Sequence, residues 1–153
     1  GYVIEVEISA EQVEPPSWVP DLPSLTTVTL ESVAMSNADI RVLFCDRSRI
    51  SQLNVQFRDR EGATDVLTFP EDGPSNTLSG DIAICADEVE ANASEFQIPV
   101  AEELCRVYVH ALLHLAGYDH GTMHLGDENA DQEPMFVIQE RIVDRYTKER
   151  NGE

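Results

Sequence analysis

Two histidines four residues apart, His110 and His114, are followed by Gly117 and then by His120. On a helix of 3.6 residues per turn, positions 110 and 114 differ by about 40° in azimuth and about 6 Å along the axis, so both imidazoles lie on one face. Gly117 tolerates the left-handed backbone that stops a helix and turns the chain back. That reversal can carry His120 to the same point, giving three nitrogen donors at about 2.0–2.1 Å from a shared ion with one position left open. Three histidines and an open position suit a catalytic zinc rather than a closed structural one. His110, His114 and His120 are therefore the expected ligands of about one Zn2+ per chain. All four histidines fall between positions 110 and 124. His124, beyond the turn and beside Asp127 and Glu128, reads as a residue that titrates in solvent or serves the loop and is left out of the ligand set.

The elements around this segment follow from patterning. Residues 2–8 alternate apolar residues with Glu5 and Glu7, the mark of a strand with one wet face. Residues 40–45 read as a second strand. Asp46 then looks like the N-cap of a helix through Ile50, Leu53 and Phe57, with arginines between the apolar positions. Residues 65–69 form a short β-prone run stopped by Pro70, and residues 79–85 another, entered through Gly80; a turn-rich loop joins them. Residues 87–96 have helical composition, and Pro99 fits the first turn of a helix over about 101–116. A last helix, about 128–150, places Met135, Phe136, Ile138, Ile142, Val143 and Tyr146 on one core-facing stripe. Residues 10–24, with Pro15, Pro16, Pro20 and Pro23, are the best candidate for disorder or for a packed turn region. The expected fold class is α+β (mixed α/β): a small mixed sheet of about four strands packed with about five helices, the metal site on a helix and the turn after it.

The chain has 153 residues, enough for one hydrophobic core, and a single domain over 1–153 is expected. No stretch reaches the roughly 20 apolar residues of a membrane span, and the opening residues carry Glu5 and Glu7 without a basic leader, so no membrane and a cytoplasmic location are the working expectation. Cys45, Cys85 and Cys105 are odd in number and widely spaced, which fits buried reduced thiols. The net charge of −19 opposes polyanion binding at long range. Its distribution is uneven, since Arg41, Arg47, Arg49, Arg58 and Arg60 against Asp46 and Asp59 leave residues 41–60 at +3. A local cationic surface there and a merely solvated helix face are both open readings.

The histidine spacing is shared with one class of zinc peptidases, in which the residue after the first histidine is a glutamate acting as general base. Here that residue is Ala111, whose methyl group takes no proton, so ordinary peptide hydrolysis lacks its base.

These residues, together with Thr64-Asp65-Val66-Leu67-Thr68-Phe69-Pro70 and Gly80-Asp81-Ile82, resemble the bacterial endoribonuclease YbeY family, the ribosomal RNA maturation factors. The resemblance runs from about 41 to 145 and takes in Leu53, Asn54, Phe57, Arg58, Met135, Gln139 and Glu140 in the family's order; the first forty residues match weakly, and Ala111 stands where the family often has glycine. It implies a metal-dependent, single-strand-preferring endoribonuclease that helps process the 3′ end of small-subunit ribosomal RNA. The implied partners are single-stranded ribosomal RNA and the small ribosomal subunit with its proteins, in ribosome maturation and quality control. It further implies zinc on His110, His114 and His120 and a requirement for Arg58. The chemistry agrees: zinc is a Lewis acid for a phosphoryl oxygen, and a guanidinium is a permanently charged fork for the non-bridging oxygens. Asp119 is open to a role beside a ligand imidazole or in its own turn, Tyr118 to stacking a base or sealing the metal site, and Asp65 and Asp81 to capping strand ends. The alternatives are a ribosome-assembly factor with a structural metal and a small-phosphoester hydrolase.

Overall fold

The computed structural model describes residues 2–58, 62–119 and 127–150, with Arg58 described as backbone only. Its strands are β1 (Val3–Glu11), β2 (Asn37–Cys45), β3 (Val66–Pro70) and β4 (Thr77–Cys85). They form one sheet in the order β1-β2-β4-β3, with β1, β2 and β4 parallel and β3 antiparallel to β4. The parallel strands require long crossovers, which the chain makes as helices. Five helices occur among the described residues: α1 (Leu22–Val33), α2 (Arg47–Arg58), α3 (Ala86–Phe96), α4 (Val100–Leu115) and α5 (Pro134–Arg150). The α+β class and the mixed sheet expected from patterning are the ones observed.

Both faces of the sheet are covered. Ile40, Val42 and Phe44 of β2 and Leu78, Ile82 and Ile84 of β4 join Leu22, Leu25 and Leu30 of α1 and Leu104, Tyr108 and Leu112 of α4 in the main core. A smaller cluster, with Ile50 and Leu53 of α2 against Leu67, Ala83, Cys45 and Cys85, closes the other side. Central strands buried on two sides explain why β2 and β4 read as nearly continuous apolar runs, whereas β1, at the edge, keeps Glu5 and Glu7 exposed. All three cysteines are buried and free.

Patterning missed α1 and treated part of it as a candidate for disorder. Its sequence is rich in threonine and β-branched residues, poor helix formers in isolation. Tertiary burial and local bonds overcome that preference. Asp21 accepts from the Ser24 amide at 3.1 Å, while Thr26, Thr27, Thr29 and Ser32 donate their hydroxyls to carbonyls four residues back. Pro23 sits in the first turn, where a missing amide hydrogen costs nothing. Thr26 Oγ1, committed as donor to Leu22 O, accepts at 2.8 Å from the hydroxyl of fully buried Tyr108, which ties α1 to α4.

Two helix starts also differ from expectation. Pro99 occupies the N-cap of α4 rather than its first turn. The last helix begins at Pro134, six residues later than expected, because proline is accommodated only at a helix start; residues 130–132 form a short 3₁₀ turn before it. Asp46 caps α2 as expected, its carboxylate accepting from the Arg49 amide at 2.8 Å.

Candidate metal centre

The helix that carries the candidate site, α4, is largely enclosed. Residues of α4 pack against α1, α3, α5, β3 and β4, and Leu104, Tyr108, Leu112 and Leu113 are fully buried. Gly117 (φ +99°) ends it as expected: the Tyr118 amide donates to Leu113 O and the Gly117 amide to His114 O, each at 3.0 Å. Tyr118 then packs, partly buried, against the main core.

His110 and His114 lie on the last turns of α4, partly buried, with their Nε2 atoms 3.1 Å apart and their rings edge to face, centroids 4.6 Å apart. The His110 ring is stacked on Phe136 of α5 at 6.1 Å. Its Nδ1 lies 2.7 Å from Oε1 of Gln139, a side chain only 2% exposed. The amide of Gln139 is oriented by its other end, where Nε2 donates to Oε2 of Glu140 at 3.0 Å. Oε1 therefore faces His110 as an acceptor, Nδ1 carries the proton, and the lone pair of His110 is on Nε2, aimed at His114.

Glu140 is fixed in turn by Arg106, whose Nε lies 3.0 and 3.1 Å from its two oxygens. Arg106 also donates to Glu103 at 3.3 Å and to Glu102 at 3.4 Å. Burial works against the Arg106 guanidinium, but Glu140 and Glu103 outweigh it and hold its pKa above the ordinary value. Burial raises the Glu103 carboxyl, with Arg106 pulling the other way.

The donor set fits zinc. Two neutral imidazole nitrogens are borderline donors that zinc prefers, and two ligands at Zn–N of about 2.0–2.1 Å on tetrahedral directions stand about 3.3 Å apart, close to the separation seen. His120 and His124 lie outside the described residues, and among the described residues no group of three metal-ligating side chains is assembled. Ala111 is fully buried in the main core. Arg58 ends α2, and its side chain lies outside the described residues.

Of the arginines for which a cationic surface and a solvated face were both open, Arg41, Arg47 and Arg49 form ion pairs within the protein, and the side chains of Arg58 and Arg60 lie outside the described residues. Arg41 pairs with Asp81 at 2.6 Å, with Glu71 and with Asp39 at 3.6 Å. Arg47 pairs with Glu88 at 2.8 Å and Arg49 with Glu11 at 3.1 Å. Asp81 is thus an ion-pair partner, and Asp65 accepts from Asn92 at 3.3 Å, its carboxyl raised by burial. Sequence reasoning placed Gln139 among the matching positions but gave it no role. The available signal was a polar residue inside the apolar stripe of the last helix.

Comparison with known proteins follows the same lines. The family profile described as Endoribonuclease YbeY matches residues 5–147. A protein of Treponema denticola named Endoribonuclease YbeY is 38% identical over 124 residues, 76% of each chain. One from Sulfurihydrogenibium sp. is 35% identical, covering 84% of this chain and 83% of the relative, and one from Treponema pallidum is 33% identical, covering 95% and 92%. A solution structure of a Thermotoga maritima protein superposes with a TM-score of 0.63 at 31% identity, covering 97% of this chain and 93% of that one.

Proposed function

Since the chain belongs to the Endoribonuclease YbeY family, we propose that it is a zinc-dependent endoribonuclease, a single domain over 1–153, that cuts single-stranded ribosomal RNA. Its place is 3′-end processing of small-subunit RNA and quality control of the maturing subunit, with that subunit and its proteins as partners in the cytoplasm. The observation that carries the metal-dependent reading is the 3.1 Å separation of the His110 and His114 Nε2 atoms at the end of α4, a helix that stops at Gly117, three positions before His120 in the sequence. No helix among the described residues is long and apolar enough to cross a membrane.

His110, His114 and His120 would hold the ion, which when bound supplies a Lewis acid and a water of lowered pKa. The chain's own contributions are distinct from that. Gln139 accepts a hydrogen bond from Nδ1 of His110, which keeps the lone pair of that ring on Nε2, the nitrogen that faces His114. Arg58, at the C-terminal end of α2, clamps the non-bridging phosphoryl oxygens as negative charge builds on them. Ala111 contributes no base, so the proton of the attacking group leaves to an acceptor elsewhere than position 111.

The test is metal content by mass spectrometry on the purified protein, beside cleavage of a single-stranded fragment from the 3′ end of small-subunit ribosomal RNA with and without chelator. Cleavage abolished by chelator, with about one zinc per chain, is the expected result. Bound zinc with no cleavage of any RNA would overturn the enzyme reading in favour of an assembly factor whose metal orders the turn after Gly117.

A further inference from the structure

The helix α5 reads as core, yet one of its buried residues is polar and reaches the metal centre. Gln139 is 2% exposed and makes both of its visible hydrogen bonds with side chains: Oε1 to His110 Nδ1 at 2.7 Å and Nε2 to Glu140 Oε2 at 3.0 Å. A buried amide in an otherwise apolar stripe is tolerated only where its polar atoms are satisfied, and here each end has a defined partner. The chain of contacts then runs from Glu140 to Arg106 and on to Glu103 and Glu102 in the first turns of α4. Both ends of α4 are thus connected through one residue pair of α5.

We propose that Gln139 is a positioning residue for the metal centre: held by the Glu140–Arg106 pair, it fixes the tautomer and aim of His110, so that α5 sets metal affinity without touching the ion. The proposal rests on the metal-binding reading of His110 and His114. The residue type matters as much as its place. A carboxylate at this position would draw the Nδ1 proton and make His110 a more basic ligand, whereas the neutral amide holds the ring without adding negative charge beside the ion. Glu140 supplies that charge one step removed, and Arg106 neutralises it.

Two substitutions at the same position separate positioning from packing. Gln139→Leu keeps the volume and loses both hydrogen bonds; Gln139→Glu keeps an acceptor for His110. Zinc affinity is measured by competition with a chromophoric chelator, the visible spectrum of the cobalt-substituted protein reports ligand geometry, and thermal melting of the metal-free protein reports the fold. Expected are a loss of about 10–100-fold in zinc affinity with an altered cobalt spectrum for Gln139→Leu, and a clearly smaller loss for Gln139→Glu, which keeps the acceptor for His110 while giving up the donor to Glu140. Glu140→Gln, on a partly exposed side chain, serves if the leucine variant does not fold, and is expected to weaken zinc binding several-fold with the melting temperature kept. Equal zinc affinity for the parent and Gln139→Leu, or for the parent and Glu140→Gln where that variant serves, would overturn the proposal, as would equal losses in the leucine and glutamate variants. A parent protein that binds no zinc or cobalt would instead overturn the metal reading on which it rests.

Discussion

Gly80 of β4 lies directly beneath Leu115 of α4: a Cβ built on Gly80 would stand 2.7 Å from Leu115 Cδ2 and 2.7 Å from the carbonyl oxygen of Phe69. Leu115 is the residue after His114, so this bare strand position lets the end of the helix that carries His110 and His114 rest on the sheet. Gly80→Ala should cost about 1–3 kcal/mol of stability in urea unfolding. It should also weaken zinc binding, since the displaced end of α4 carries His114. Unchanged unfolding and unchanged zinc affinity would show that the seam relaxes freely.

His114→Ala should remove most of the bound metal. Two ligands, of which one lies past the turn, hold zinc poorly against competing chelators. Metal content by mass spectrometry decides the matter, and stoichiometric zinc in the variant would refute the ligand assignment.

Arg58→Glu should leave the circular dichroism spectrum and zinc content unchanged and lower the cleavage rate by about a hundredfold or more, the scale at which loss of one preorganised charge stabiliser is felt. Arg47→Ala is the contrast. Arg47 is engaged with Glu88 on the surface, so its removal should leave the rate within about twofold and stability within about 1 kcal/mol. Equal rates for parent and Arg58→Glu would remove the clamp from the mechanism.

Tyr108→Phe should destabilise the protein by about 1 kcal/mol without changing zinc content. The lost hydroxyl donates to Thr26, but Thr26 keeps its own bond to Leu22 O, so no buried donor is left unpaired. A loss above about 3 kcal/mol would mean that the α1–α4 contact depends on this bond far more than on the packing around it.

Burial pushes the Cys45 thiol up to about 11 and the Cys105 thiol up to about 12, from an ordinary value near 9. The folded protein therefore holds these protons where the unfolded chain has lost them, and stability should fall as pH rises between about 9 and 12. At pH 8 the thiols should resist iodoacetamide in the native state and react in urea, followed by mass. Rapid native alkylation of Cys105 would show that α4 opens locally.

Much of this architecture was readable along the chain because it depends on local periodicity. The four strands, the Asp46 cap and the Gly117 stop each follow from a few neighbouring residues whose backbone preferences agree with their burial. The pairing of His110 with His114 belongs to the same class, since helix geometry alone puts positions four apart on one face. The features that escaped depend on distant partners. Helix α1 is built from residues that disfavour helix and is held by the core and by the Thr26–Tyr108 bond, 82 residues apart. Whether Arg41, Arg47 and Arg49 present a cationic surface stayed open until the fold brought Glu11, Glu71, Asp81 and Glu88 to them. Gln139 looked like one polar interruption in a core stripe, and its meaning appeared only when α5 packed on α4, 29 residues away from His110 in sequence. The sequence by itself determined the local elements and the two-histidine face, because backbone preference and helical spacing act over a few residues. The tertiary structure alone decided which charges are neutralised and which nitrogen of His110 keeps its lone pair, because hydrogen bonds and ion pairs depend on groups that meet only after the helices dock.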